Sequence, residues 1–424
     1  MKNIILRNIT VVDSNSSHNG KNRDILIIDG IIKKINNNIQ FSEPFFEVNL
    51  KDLHVSTGWL DLHTRVGEPG FEQRETIETG LKTAAKGGFT GVVTMPSTSP
   101  PIDTKSDIIF LIQKSENNIV NIYPTGCITK ACNQNEITEM YDMFSNGAVA
   151  FTDDKKSIQN AMLMNTALEY VNNFNGLIMT TCLDGDFNKL GQINEGVIST
   201  KMGLSPSPSI AENLMVSRDL EILKYTNSKL HISTISTTES VKRIKKAKNA
   251  KLRITTDVAA HQLILTDNLF TEYNSNLKVQ PPIRDEKTRL SLIEGIINGT
   301  IDTVSSDHTP IEIERKKCEF ENSEFGIIGL ETVFPIINTV LKNKLKLEEI
   351  INLISINPRK ILDLKIPKIE ENEVANLTLF NPKMKWNYTE KEITSKSRNT
   401  PFINYEFIGK SIGIINNNQI LIQS

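Results

Sequence analysis

The chain has 424 residues, of which 38% are hydrophobic and 23% charged, with a net charge of -2 at neutral pH and a pI near 6.4. That length accommodates one large core with an accessory domain, and the near-neutral balance excludes a global field drawing the protein to nucleic acid or an anionic membrane. An aromatic content of 6% gives no stacking surface for single strands either.

The N-terminus, Met1 to Arg7, meets a charge within a few residues and carries neither a long apolar run nor a small-residue cleavage site, so no export is expected. Alternating segments at Asn3 to Val12, Asp24 to Ile28 and Ile31 to Ile35, with Asp29-Gly30 as a hairpin signal, predict a small β unit. Eight apolar runs follow: Thr57 to Leu62, Thr90 to Met95, Val120 to Pro124, Ala148 to Phe151, Leu177 to Thr181, Leu230 to Ser233, Leu252 to Thr256 and Thr300 to Ser305. They alternate with helical segments, the pattern of a parallel sheet closed by crossover helices. Ser209-x-x-Glu212 and Ser236-x-x-Glu239 fit capping boxes at helix starts. The basic run Lys242, Arg243, Lys245, Lys246 and Lys248 is interrupted by Val241, Ile244 and Ala247 at helical spacing, so it reads as a solvated helix face.

After Pro367 the strand character returns at Ala375 to Phe380, Ile412 to Ile415 and Ile420 to Ile422. The predicted fold is therefore α/β, a TIM-like (β/α)8 barrel over 56–366 with a small β-sheet domain formed from both chain ends, 1–55 and 367–424. Four cysteines, Cys127, Cys132, Cys182 and Cys318, form no C-x-x-C. Neither a disulfide framework nor a thiolate zinc knuckle is expected, and reduced cytoplasmic thiols are the simple reading. In a barrel of this kind chemistry sits where strands end and βα loops begin. Those ends carry His63, Asp154, Thr181, Thr234, Asp257 and Asp307 here.

Asp61-Leu62-His63-Thr64-Arg65-Val66-Gly67-Glu68-Pro69-Gly70, continued by Glu75-Thr76-Ile77-Glu78-Thr79-Gly80, resembles the signature of dihydroorotases of the multifunctional-complex type, in the amidohydrolase superfamily. The resemblance extends through Phe151-Thr152-Asp153-Asp154, Pro281-Pro282-Ile283-Arg284, Ser306-Asp307-His308-Thr309-Pro310 and Ser395 to Phe402. It implies, for a working member, reversible hydrolysis of the cyclic amide of dihydroorotate, in pyrimidine (UMP) biosynthesis, at a two-zinc site with a bridging hydroxide.

Set against that pattern, the metal positions are mixed. His63, Asp154 and Asp307 keep ligand types, Asp307 at the general-base position, whereas Arg65, Thr181 and Thr234 stand where the resemblance implies histidines. Arginine offers only donors and cannot ligate zinc. The substrate positions differ too, with Gly67 in place of the carboxylate-binding arginine, Ser97 and Gln280 in place of asparagines, and Ile311 in place of a histidine. Cys182, beside Thr181, is a soft ligand type but reads as core. His231 is expected to be a packed, satisfied histidine, His261 to resemble the first of a loop pair whose second member is Gln262, and His308 to support Asp307. His18 and His54 are placed outside the mouth.

The resemblance thus points to the family's inactive, metal-site-depleted members: a non-catalytic homologue supporting assembly of aspartate carbamoyltransferase, with no cofactor. The alternative is a residual zinc-dependent dihydroorotase using His63, Asp154 and Asp307; a cyclic-amide hydrolase of altered substrate is more distant. Homo-oligomerisation is left open. Arg65 is expected to pair with Asp307 or Asp154, since two carboxylates in a confined pocket otherwise repel.

Overall fold

The structure, a computed structural model, describes residues 3–423. Its N-terminal strands are β1 (Asn3–Val12), β2 (Asn22–Ile28), β3 (Ile31–Asn36), β4 (Phe45–Val48) and β5 (His54–Thr57). The next series is β6 (Trp59–Thr64), β7 (Phe89–Thr94), β8 (Asn121–Gly126), β9 (Ala150–Phe151) and β10 (Ile178–Thr181). A separate two-stranded ladder, β11 (Ile193–Asn194) with β12 (Pro206–Ser207), precedes β13 (Leu230–Ser233), β14 (Ile254–Ala259) and β15 (Thr303–Ser305). The chain ends with β16 (Leu377–Tyr388), β17 (Tyr405–Asn416) and β18 (Gln419–Ile422).

Strands β6 to β10 and β13 to β15 pair in parallel, in chain order, as an eight-stranded sheet. The sheet curls until its edges meet: Thr64 bridges His308, Arg65 N donates to His308 O at 2.9 Å, and His308 N donates to His63 O at 3.1 Å. Leu60, Leu62, Val93, Met95, Leu177 and Met179 fill the interior, while the outer faces pack on the helices. Strands buried on both faces lack polar alternation, which is why all eight expected runs overlap barrel strands. The two ends of the chain build one second sheet, ordered β18-β17-β16-β5-β1-β2-β3 with β4 beside β1, over its own core of Ile4, Ile25, Val55, Leu377 and Ile415.

Several expectations change in detail. The run from Thr57 to Leu62 splits at Gly58, with Thr57 ending the small sheet and Trp59 opening the barrel. A Cβ at Gly58 would collide with Asn376 and Thr90, so the chain can pass between the two sheets only without a side chain. Both predicted capping boxes are displaced. Pro208 precedes the helix Ser209–Thr226, and Ser209 makes no cap bond. Glu212 instead reaches the next helix, Thr238–Asn249, accepting from Ser236 N and Thr237 N at 3.0 Å each and from Ser240 Oγ at 2.6 Å. That helix is capped by Thr237, one residue later than expected. A carboxylate gains more from orphan N–H groups at a helix start than from its own first turn. Val241, Ile244 and Ala247 are buried on that helix, as their spacing predicts.

Candidate functional site

Strand ends deliver the polar residues to one mouth. Asp154, Thr234 and Asp307 follow β9, β13 and β15, each in the left-handed region with φ of 55°, 51° and 49°. Such conformations cost a non-glycine residue about 1 kcal/mol or more and turn the side chain off the strand's two-residue alternation. His63, two residues before Arg65 on β6, is 2% exposed.

Asp154 is the hub. Its Oδ1 lies 3.0 Å from His63 Nε2, and its Oδ2 accepts from Arg65 Nε at 2.6 Å and from Ser97 Oγ. Asp307 lies 3.5 Å from His63 Nε2 and pairs with Lys155 Nζ at 2.7 Å. Lys155 also donates to Thr234 Oγ1 at 3.3 Å. The mouth thus sets two carboxylates against the basic side chains of Arg65 and Lys155. Burial alone would raise the Asp154 pKa, but the Arg65 charge and the His63 bond overrule it and hold the group well below the usual carboxylate range.

The expected pairing of Arg65 is present with Asp154, through one Nε bond. The partner of Asp307, Lys155, was not anticipated. It follows Asp154 in the sequence and reads there as a loop lysine, and only the left-handed turn at Asp154 brings it inward.

The replaced positions sort by geometry. Thr181 is buried and its hydroxyl has no partner among the described residues. Ser97 serves Asp154. Gln280 lines a cavity of about 410 Å³ at the mouth, together with Arg65, Lys155, Gln192 and Asp307. Ile311 is 2% exposed, its amide held by Asn399. Gly67 leaves no room for any side chain, because a Cβ there would collide with the carbonyl oxygens of Phe71 and Glu75.

His231 is buried and bonded to Asp257 at 3.1 Å and Thr255 at 2.9 Å, a satisfied histidine as expected. His308 lies 3.7 Å from Glu75 and accepts from Gly329 N. His261 is buried with neither ring nitrogen hydrogen-bonded among the described residues, and burial pushes its pKa down to about 4. Gln262 donates to the carbonyls of Pro281 and Pro282 at 3.0 and 3.1 Å and so fixes the segment that follows Gln280. Cys182 Sγ donates to Asp219 Oδ2 at 3.4 Å and is buried.

Two buried lysines hold the loop that borders the cavity. Lys278 Nζ donates to Phe320, Glu321 and Ser323 carbonyls at 2.8, 3.0 and 2.6 Å, and Lys316 Nζ to those of Ser275 and Glu324 at 2.9 and 2.7 Å. Burial pushes Lys278 down to about 8 and Lys316, with Lys278 beside it, to about 7. Unfolded lysine keeps its proton to about pH 10. Between about pH 7 and 10 the unfolded chain therefore binds more protons, and this pair makes stability rise with pH. Denaturant titrations at intervals across that range should show the rise, flattened in Lys316→Met; an equal slope in both proteins would mean that Lys316 stays charged on its carbonyls.

Residues 54–240 match the family described as dihydro-orotase-like. A dihydroorotase of Thermoanaerobacter sp. is 39% identical over 94% of this chain and 92% of its own length. One of Caldicellulosiruptor saccharolyticus is 37% identical over 99% and 98%. Among solved structures, an L-hydantoinase from Arthrobacter aurescens superposes with a TM-score of 0.84 at 19% identity, covering 100% of this chain and 96% of that one, a likeness of fold. Near end-to-end identity at this level, on a barrel whose mouth gathers His63, Asp154 and Asp307, means that the chain belongs to the dihydroorotase family.

Proposed function

We propose that this chain is a dihydroorotase homologue whose barrel mouth is neutralised by its own cations, and that it supports aspartate carbamoyltransferase assembly without hydrolysing dihydroorotate. The observation that carries the reading is the double pairing of Arg65 with Asp154 and Lys155 with Asp307. A two-zinc centre does not fit that donor set. Generating a hydroxide near neutral pH takes Lewis-acidic metal held by imidazoles and carboxylates. Here Arg65, Thr181 and Thr234 stand where imidazoles are required, and the remaining carboxylates are committed to side-chain cations.

The assembly role and the cytoplasmic setting are carried over from the resemblance to the family's inactive members. No helix among the described residues is long and apolar enough to cross a membrane. A second reading, residual zinc-dependent hydrolysis on His63, Asp154 and Asp307, is favoured by relatives named dihydroorotase at 37–39% identity. It requires one metal to displace both Arg65 and Lys155.

The two readings separate in one experiment. Purified chain, with zinc supplied, is assayed for dihydroorotate hydrolysis and synthesis, alone and after mixing with the aspartate carbamoyltransferase of the same organism. The proposal expects no turnover, co-elution of the two proteins in size-exclusion chromatography, and altered transferase activity. Zinc-dependent turnover that vanishes in Asp307→Ala establishes the second reading, and independent elution with indifferent transferase activity rejects the assembly role.

A further inference from the structure

We propose that Cys127, Cys132 and Asp153 form a binding site for a thiophilic divalent cation of the zinc class, separate from the barrel mouth. Among the described residues they are the one trio of Cys, His, Asp or Glu whose ligand atoms all lie within 4.8 Å of one another. All three are buried, at 0%, 3% and 2% exposure. Cys127 follows β8, Asp153 follows β9, and the turn Lys130–Cys132 brings the second thiol back to the first. That return needs left-handed backbone at two consecutive non-glycine residues, Ala131 at φ 52° and Cys132 at φ 47°.

The carboxylate is already fixed. Asp153 Oδ1 accepts from Ile128 N at 2.8 Å and Thr129 N at 3.0 Å, and Oδ2 accepts from Thr129 Oγ1. On binding, each thiol loses one proton to solvent, two metal–sulfur bonds form, and Asp153 supplies an oxygen, leaving a fourth position for water. Two sulfurs, one carboxylate and a water make an ordinary tetrahedral donor set for zinc. The four-residue gap between the cysteines suits a zinc-binding turn, although nothing in the sequence marks Asp153 as its third member. Such a site would tie the end of β8 to the end of β9, one residue before Asp154.

The test titrates reduced, chelator-stripped, full-length chain with cadmium and follows the thiolate-to-metal absorption band in the ultraviolet. The expected result is a band saturating at one equivalent, displaced by zinc, absent in Cys127→Ser and Cys132→Ser, and retained in Asp307→Ala, which alters the mouth. A readout on wild type avoids dependence on folding of the variants: cadmium should slow alkylation of Cys127 and Cys132 by about tenfold or more, leaving the half-buried Cys318 unaffected. Absence of a thiolate band at stoichiometric cadmium overturns the site. So does recovery of a Cys127–Cys132 disulfide from chain purified without reductant, which would make the pair a redox couple.

Discussion

Replacing Arg65 by alanine should lower the stability of the chain by about 3 kcal/mol, because it strands a carboxylate that has left water entirely. The Asp154 side chain is 0% exposed and that of Arg65 25%. Partial exposure of the arginine and the surviving contact with His63 at 3.0 Å place the effect at the low end of what breaking a buried pair costs. Arg65→Lys should recover part of the loss, since charge is restored while the guanidinium's geometry is not. The double variant Arg65→Ala/Asp154→Ala should be less destabilised than the sum of its singles, because the uncompensated charge goes with its partner. Chemical denaturation of the four proteins closes this cycle. Additive losses would show that Arg65 contributes by packing and not by charge.

A somewhat larger effect is expected at Glu212, which lines a small cavity with Thr181, Thr234 and Gln280. Glu212→Ala should cost about 4 kcal/mol, as two buried backbone donors, Ser236 N and Thr237 N, lose the carboxylate that accepts from them at the start of the helix Thr238–Asn249. The damage spreads to Arg284, which is 2% exposed, bonds Ser236 Oγ at 3.1 Å and feels the Glu212 charge. Glu212→Gln should fall between, since the amide keeps one acceptor but turns its NH2 towards other donors. A midpoint shift in denaturant corresponding to less than about 1 kcal/mol would show that water replaces the carboxylate at that helix start.

What was legible in the sequence follows from which residues are buried on both sides. Barrel strands such as Phe89–Thr94 and Ile178–Thr181 are wholly buried and read as short charge-free runs of apolar, threonine and glycine residues. The outer strands β16 and β17 extend much further than the apolar segments that announced them. Lys383, Met384 and Lys385 are exposed in β16, so half of its ladder has no hydrophobic signature. Strand β4 escaped for a similar reason, with Phe46 and Glu47 exposed, whereas β5 is nearly all buried and is simply short, at four residues with His54, Ser56 and Thr57 among them.

At the mouth, the family resemblance implies that His63, Asp154 and Asp307 lie together, and the repulsion between two confined carboxylates predicts a partner for Arg65. Neither could foresee Lys155, because a lysine after two aspartates looks like any charged loop until a left-handed residue turns it inward. Gly67 reads in sequence as a lost charge. The structure adds that the backbone of Phe71 and Glu75 closes over the position, so restoring a side chain there would require the loop to move.

The most direct measurement is anomalous diffraction at the zinc edge from crystals of the full chain grown with excess zinc. This locates metal without confusing the mouth with the Cys127, Cys132 and Asp153 site. The account predicts no zinc peak between His63 and Asp307, with Arg65 bonded to Asp154 and Lys155 to Asp307. A peak held by His63, Asp154 and Asp307, with both cations swung aside, would contradict it and return the chain to the zinc hydrolases.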